Sequence, residues 1–170
     1  MKNINTLSGL SVANFSKQID GKETALYTLC NKVGAELAIT NYGAKIVSLM
    51  VPDKNGKMTD VVTGHNSIEE YLTSKEPYFG AICGRYGNRI AAGKFTIDGV
   101  TYDKLAINNG PNSLHGGIKG FNAVVWDAKQ IDEQTIELKY PSADGEEGFP
   151  GELKTTVTYH LTNENEVVIS

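Results

Sequence analysis

The sequence has few of the residues that metal, redox and nucleic-acid-binding proteins need. Its 170 residues include only two cysteines and three histidines, and none of these five is spaced as zinc ligands are. Lysine and arginine are scattered, and the net charge is −4, which argues against a basic surface for nucleic acid. A glycine-rich phosphate loop and a dinucleotide fingerprint are both missing. We therefore expect no metal, no other cofactor and no nucleic-acid partner.

Long apolar runs are missing as well. No stretch approaches the roughly 18 apolar residues of a membrane helix, and residues 1–5 lack the apolar centre of a secretory leader. We therefore expect a cytoplasmic protein without membrane contact. Cys30 and Cys83 stand far apart in the sequence, and isolated cysteines of this kind are expected to be buried free thiols.

Two-residue alternation is the pattern that the sequence has in quantity. It is clearest in Leu153–Leu161, where every second residue from Leu153 is suited to a core. Residues 44–51 form another strand pattern, and the turns at 53–56 and 98–99 predict hairpins. Only 67–72 resembles a helix start, with a Ser-x-x-Glu capping box. The sequence predicts an all-β fold, an antiparallel β-sandwich.

The last residues suggest how the domain is organised. After a turn at 162–165, residues 166–170 begin another apolar strand. Natural domains seldom end within such a strand, so we expect residues 1–170 to be the N-terminal part of a single truncated β-sandwich domain whose C-terminal part is absent. An unpaired sheet edge would then favour self-association of this chain.

Two polar segments, 84–93 and 108–117, interrupt the alternation. The first carries Arg85, Asn88 and Arg89 among glycines, and these side chains supply directional donors that suit sugar hydroxyls. The second carries His115, whose imidazole titrates near neutrality and can donate to a hydroxyl. Such loops on a β-scaffold often bind ligands. On the residues alone, solvated arginines and a loop histidine without a function stay open as interpretations.

Five other side chains have simpler expected roles. Trp126 lies in a strand pattern and is expected in the core. His65 is expected at the surface and His160 on the solvated face of a strand. Glu146 and Glu147 are adjacent in a turn-rich loop, where paired carboxylates usually face water.

The two polar segments resemble motifs of the aldose 1-epimerase family, of which galactose mutarotase is the best-known member. Residues 84–90, Gly-Arg-Tyr-Gly-Asn-Arg-Ile, are similar to the family's G-R-x-x-N-R-I segment. Residues 112–117, Asn-Ser-Leu-His-Gly-Gly, are similar to its N-x-L-H-G-G segment, and Gly120-Phe121 follows as in the family. Weaker matches occur in family order at 41–44, 60–72 and 148–151.

The resemblance implies a supersandwich of the galactose mutarotase-like type. It implies an isomerase that interconverts the α and β anomers of a free hexose, galactose or glucose, without a metal or other cofactor. Arg89 would bind the sugar, Asn88 would face it, and His115 would be the catalytic-site histidine that hydrogen-bonds the sugar and places it. The family's general base (a glutamate), general acid (a second histidine) and sugar-binding aspartate lie beyond Ser170. The isolated chain is therefore expected to be inactive.

Two alternatives stay open at this point. In the first alternative, the chain is an inert sugar-binding fragment. In the second it comes from a hexose-6-phosphate epimerase, whose dianionic substrate needs extra basic residues near the site. Only Arg85 and Arg89 stand close together in the sequence, so this second alternative ranks lower.

Overall fold

Two four-stranded antiparallel sheets build the fold in a computed structural model that describes residues 5–170. Residues 1–4, on which the expectation of no leader largely rests, lie outside the described residues. Along the chain the regular elements are β1 (Lys17–Ile19), β2 (Lys22–Thr24), β3 (Leu26–Cys30), β4 (Glu36–Thr40), β5 (Lys45–Pro52), β6 (Met58–Asp60), α1 (Ile68–Thr73), β7 (Arg89–Ile90), β8 (Phe95–Ile97), β9 (Val100–Tyr102), β10 (Ser113–Leu114), β11 (Asp127–Gln130), β12 (Thr135–Ser142), β13 (Leu153–Leu161) and β14 (Val167–Ile169).

The first sheet has the order β3-β4-β5-β6 and the second the order β11-β12-β13-β14. Residues 5–170 also form three two-stranded ladders, β1-β2, β7-β10 and β8-β9. Every strand pair is antiparallel, as expected for a chain whose strands follow one another through short turns. The prediction of a β-rich antiparallel fold is confirmed.

The main core lies between the two sheets. Trp126, 1% exposed, sits at its centre, and its indole Nε1 donates to the carbonyl of Phe121 at 3.1 Å. The Tyr159 hydroxyl donates across the core to the carbonyl of Ala44 at 2.7 Å. The indole N–H and the phenol O–H are therefore both hydrogen-bonded. The prediction that Trp126 belongs to the core is confirmed. Aliphatic side chains from both sheets fill the rest, among them Leu29, Leu37, Ile39, Ile136, Leu138, Val157 and Leu161.

A second core covers the other face of the first sheet. The 3-10 turn Val12–Phe15 and the helix α1 lie over this face, with Phe15 and Tyr71 fully buried against it. Because β4 is covered on both sides, all five of its residues are buried. Its sequence therefore lacks alternation, which is why it was not predicted.

The single α-helix of the described residues begins as the capping box predicts. The Ser67 hydroxyl accepts from the amide of Glu70 at 3.2 Å, and the Glu70 carboxylate accepts from the amide of Asn66 at 2.8 Å. The carboxylate thus reaches one residue before the cap rather than the cap itself. Within residues 5–170 no helix has both the length and the apolar character of a membrane span.

Both predicted hairpin turns are present. Between β5 and β6, the Asp53 carboxylate accepts from the amides of Asn55 and Lys57 at 2.8 and 2.9 Å. Between β8 and β9, Asp98 and Gly99 have φ values of 52° and 79°, the left-handed pair that a two-residue hairpin needs.

The two cysteines are free, but the expectation that both are buried is wrong for Cys30. Leu29 points into the core, and strand alternation then turns Cys30 outward. Cys83 is half-buried.

Candidate functional site

The two polar segments are joined by strand pairing. In the β7-β10 ladder, Ile90 pairs with Ser113 and Arg89 pairs with Leu114. The ladder continues past β10, because the amide of His115 donates to the carbonyl of Asn88 at 3.0 Å. The expectation that these segments are loops is wrong for residues 89–90 and 113–114, since a two-residue strand leaves no periodicity to detect. The pairing brings Asn88, Arg89 and His115 together.

The imidazole of His115 is fixed by the backbone of the facing segment. The amide of Asn88 donates to His115 Nδ1 at 3.0 Å. Because a backbone N–H can only donate, Nδ1 is the acceptor, and the neutral ring carries its hydrogen on Nε2. His115 is half-buried. This tautomer presents the Nε2–H group as a hydrogen-bond donor.

The two facing residues, Asn88 and His115, both have left-handed backbone conformations. Asn88 has a φ of 70° and His115 a φ of 51°, a region that asparagine tolerates better than most residues. Gly116 follows at a φ of 93°, and a Cβ atom there would lie 1.6 Å from the carbonyl oxygen of Gly84. Only glycine therefore fits between the two segments at this point.

Arg89 keeps most of its hydrogen-bonding capacity. Its Nε donates to Asn109 Oδ1 at 2.9 Å, and its Nη1 donates to Asn88 Oδ1 at 3.3 Å. A guanidinium has five N–H donors, so bonds among the described residues use two and leave three. The side chain is exposed. These three donors are free to meet a ligand.

Arg85 has no donors left. Its Nε donates to the Ser142 hydroxyl at 2.7 Å, and its Nη1 donates to the carbonyls of Pro150 and Gly151 at 3.0 and 2.7 Å. Its Nη2 donates to the carbonyls of Ser142 and Ala143 at 3.0 and 2.6 Å. All five donors are used, and the guanidinium ties the segment to the end of β12 and the turn after it.

Asn108 closes the second segment on itself, a role that was not predicted. Its Oδ1 accepts from the amide of Leu114 at 2.7 Å. Its Nδ2 donates to the carbonyls of Leu114 and Gly117 at 3.0 and 2.7 Å. The three bonds fix the turn that presents His115. A sequence signal existed, because asparagine often bonds the backbone of its own turn.

The expectation that Glu146 and Glu147 face water is wrong. Both are half-buried. Glu146 accepts from the hydroxyls of Tyr140 and Ser142, and the Glu147 carboxylate accepts from the amide of Ile118 at 2.6 Å. Burial and the Glu146 carboxylate both raise the pKa of Tyr140. Both carboxylates thus hold loops together, Glu146 through two hydroxyl donors and Glu147 through one backbone amide.

The other two histidines also have internal partners. His65 was expected at the surface, yet it is half-buried, with its ring 4.7 Å from that of Tyr71 and its Nε2 3.0 Å from the Ser74 hydroxyl. His160 Nδ1 lies 2.9 Å from the Thr135 hydroxyl across the β12-β13 pair. Among the described residues no three His, Cys, Asp or Glu side chains cluster as metal ligands would.

A cavity of about 480 Å³ flanks Arg89, with Phe95, Ile97 and Phe149 in its wall. Neither His115 nor Asn88 lines it. We place the candidate site at the β7-β10 ladder instead, because a sugar needs several converging donors. Of the two arginines that line the cavity, only Arg89 has free donors, since those of Arg85 are all used.

The architecture is that of mutarotase-like β-sandwiches. An aldose epimerase homologue from C. elegans superposes with a TM-score of 0.80 at 31% identity, covering 86% of this chain and 44% of that one. A galactose 1-epimerase from Lactobacillus acidophilus superposes with a TM-score of 0.78 at 29% identity, covering 90% of this chain and 45% of that one.

The chain belongs to the aldose 1-epimerase family, whose sequence profile matches residues 25–170. It is 54% identical over 123 residues to a galactose mutarotase from Sus scrofa, covering 72% of this chain and 35% of the relative. It is 36% identical over 151 residues to an aldose 1-epimerase from Escherichia coli, covering 89% and 43%. The chain thus spans about a third to two fifths of the length of these curated relatives.

Proposed function

We propose that this chain is the N-terminal part of a single β-sandwich domain, and that the whole protein is an isomerase interconverting the α and β anomers of a free hexose, galactose or glucose. Family membership supports the activity, as do the galactose mutarotase and aldose 1-epimerase relatives. The share of each relative that the chain covers supports its assignment to part of a longer domain.

The reciprocal pair between Asn88 and His115 is the observation that carries the proposal. Two bonds of 3.0 Å, one in each direction, join the amide of each residue to the other. They leave His115 Nε2–H as a donor for a sugar oxygen, and Arg89, which follows Asn88 in the chain, contributes three free donors. In this arrangement His115 and Arg89 bind and orient the hexose, and Asn88 holds both side chains in place.

The reaction needs two proton transfers that this half of the site does not perform. A base takes the proton of the C1 hydroxyl while an acid protonates the ring oxygen, so the C1–O5 bond breaks and an open aldehyde forms. Rotation about C1–C2 and reclosure on the other face give the second anomer. We place the base and the acid beyond Ser170, as the family resemblance implies. The role of His115 is to donate a hydrogen bond that fixes the sugar between them.

A neutral sugar fits the donors better than a sugar phosphate. A dianion would need several free cationic donors near the site. Arg85, the second arginine of the segment, spends all five donors on protein oxygens. Arg89 is then the only arginine of this segment with donors to offer.

Polarimetry of freshly dissolved α-anomers tests the proposal. We expect the full-length protein to accelerate mutarotation of galactose well above the spontaneous rate, and to act poorly on galactose 6-phosphate. The isolated 170-residue chain should leave the spontaneous rate unchanged. A full-length protein that acts only on the phosphorylated sugar would contradict the substrate assignment, and one that acts on neither would contradict the function.

We further infer a cytoplasmic location, supported by the two free cysteines, since thiols persist in reducing compartments. We also infer that the isolated chain self-associates through β14. This strand lies at the edge of its sheet, with Val168 and Ile169 about half exposed, and such edges pair readily. Light scattering of the isolated chain tests this, and a monomer across micromolar concentrations would contradict it.

A further inference from the structure

Tyr78 contacts the imidazole that the proposed function places against the sugar. The ring centroids of Tyr78 and His115 are 4.6 Å apart, with the planes at 55°. This separation lies within the range of favourable aromatic pairs, about 4.5–7 Å. Tyr78 and His115 are both half-buried, so Tyr78 covers one side of an imidazole that is still partly exposed.

The backbone around Tyr78 is anchored to the first sheet. The amide of Ile46 in β5 donates to the carbonyl of Gly80 at 3.0 Å, and the amide of Ala81 donates to the carbonyl of Tyr78 at 3.1 Å. Gly80 has a φ of 66°, and a Cβ atom there would lie 2.0 Å from the carbonyl oxygen of Ile46. The segment that carries Tyr78 is therefore attached to β5 by a backbone hydrogen bond.

The next aromatic residue along the chain, Phe79, packs against a different histidine, His65. Phe79 lies 5.9 Å from His65, in the packed group with Tyr71 and Ser74. Consecutive rings thus pack against two separate histidines. His65 is held by an internal group, whereas His115 has only Tyr78 as an aromatic neighbour within the described residues.

We propose that Tyr78 is a positioning residue for His115, holding the face of the imidazole while the Asn88 amide holds its edge. This inference rests on the proposed function. A half-turn of the ring about the Cβ–Cγ bond would replace Nδ1 with Cδ2 at the Asn88 amide and lose that bond. With both constraints in place, the imidazole keeps one orientation, and its Nε2–H group points in one fixed direction. Burial raises the pKa of Tyr78, so no charge forms beside the imidazole near neutral pH.

Three variants of the full-length protein test the proposal by polarimetry. Tyr78→Ala removes the aromatic ring and should lower kcat/KM for galactose by about 30-fold, the scale on which misplaced groups act. Tyr78→Phe keeps the ring face and should stay within about 3-fold of the wild type. Tyr102→Ala is the control, since it removes a half-buried phenol ring from β9 and should leave kcat/KM unchanged.

Nitrogen NMR of the His115 imidazole gives a readout that is independent of catalysis. The wild type and Tyr78→Phe should show separate signals for an unprotonated Nδ1 and a protonated Nε2, whereas Tyr78→Ala should show averaged signals. If Tyr78→Ala fails to fold, Tyr78→Leu keeps the bulk without the aromatic face and replaces it. Loss of activity with an unchanged imidazole signature would overturn the positioning role, as would full activity in Tyr78→Ala. A wild type that is inactive yet shows the predicted signature changes overturns the proposed function and leaves the role of Tyr78 in place.

Discussion

Arg85 and Arg89 lie four residues apart in one segment, yet the structure uses them in opposite ways. Arg85 gives all five donors to oxygens of the chain. Arg89 gives two, both to asparagine side chains, and faces solvent with the rest. The difference separates fold from function within a single motif. An arginine with every donor satisfied stabilises the segment, and one with free donors is available for a ligand.

The loss of Arg85 should have the larger effect. We expect Arg85→Ala to lower the free energy of unfolding of the full-length protein by about 3 kcal/mol, because five oxygens lose a charged donor at once. Arg85→Lys should recover only part of this, since an ammonium has three donors and no planar fork. Urea unfolding measures both. Wild-type stability in Arg85→Ala would show that Arg85 does not stabilise the fold.

The loss of Arg89 should leave stability unchanged and reduce catalysis. We expect Arg89→Ala to lower kcat/KM for galactose about 100-fold, the effect of losing one or two charged hydrogen bonds to the substrate. Lys94→Ala removes an exposed cation from the neighbouring turn and is the matched control, expected to behave as the wild type. If Arg89→Ala unfolds as readily as Arg85→Ala does, the two arginines do not differ in role.

Lys45 is a third basic residue, and unlike the two arginines it is fully buried. It is 1% exposed, its Nζ donates to the carbonyl of Asn122, and it lies 4.5 Å from the centre of the Tyr42 ring. Burial lowers its pKa from 10.5 to about 7. Between these two values the unfolded chain binds more protons than the folded one, so stability rises with pH.

We expect the free energy of unfolding to increase by about 2 kcal/mol from pH 7 to pH 9, because folding releases the proton of the Lys45 amine and this release costs less free energy as the pH rises. Lys45→Met should remove this increase, whereas Lys154→Met, at a side chain that is 79% exposed, should retain it. Identical pH profiles for the wild type and Lys45→Met would show that burial of Lys45 carries no such penalty.

Much of the fold follows from local sequence patterns. The alternation in β13, the turns at 53–56 and 98–99 and the capping box at Ser67 each have a local physical cause that the sequence displays. Strand β4 has none, because both of its faces are covered by parts of the chain that lie distant in sequence.

The candidate site was predictable only in its residues. The family resemblance singles out Asn88, Arg89 and His115, but the residue types and spacing alone do not distinguish Arg85 from Arg89. The partners of Arg85 lie 57 to 66 residues away, so its role depends on tertiary structure alone. The orientation of the His115 ring likewise depends on an amide 27 residues distant.

The most direct test of the account compares two substitutions of His115 in the full-length protein by polarimetry on α-galactose. Glutamine places an N–H donor close to where His115 presents Nε2–H, whereas leucine keeps the bulk without a donor. If His115 only donates a hydrogen bond, His115→Gln should keep kcat/KM within about 10-fold of the wild type and His115→Leu should lose about 100-fold. Equal and complete loss in both variants would contradict the account, because it would mean that His115 transfers a proton itself.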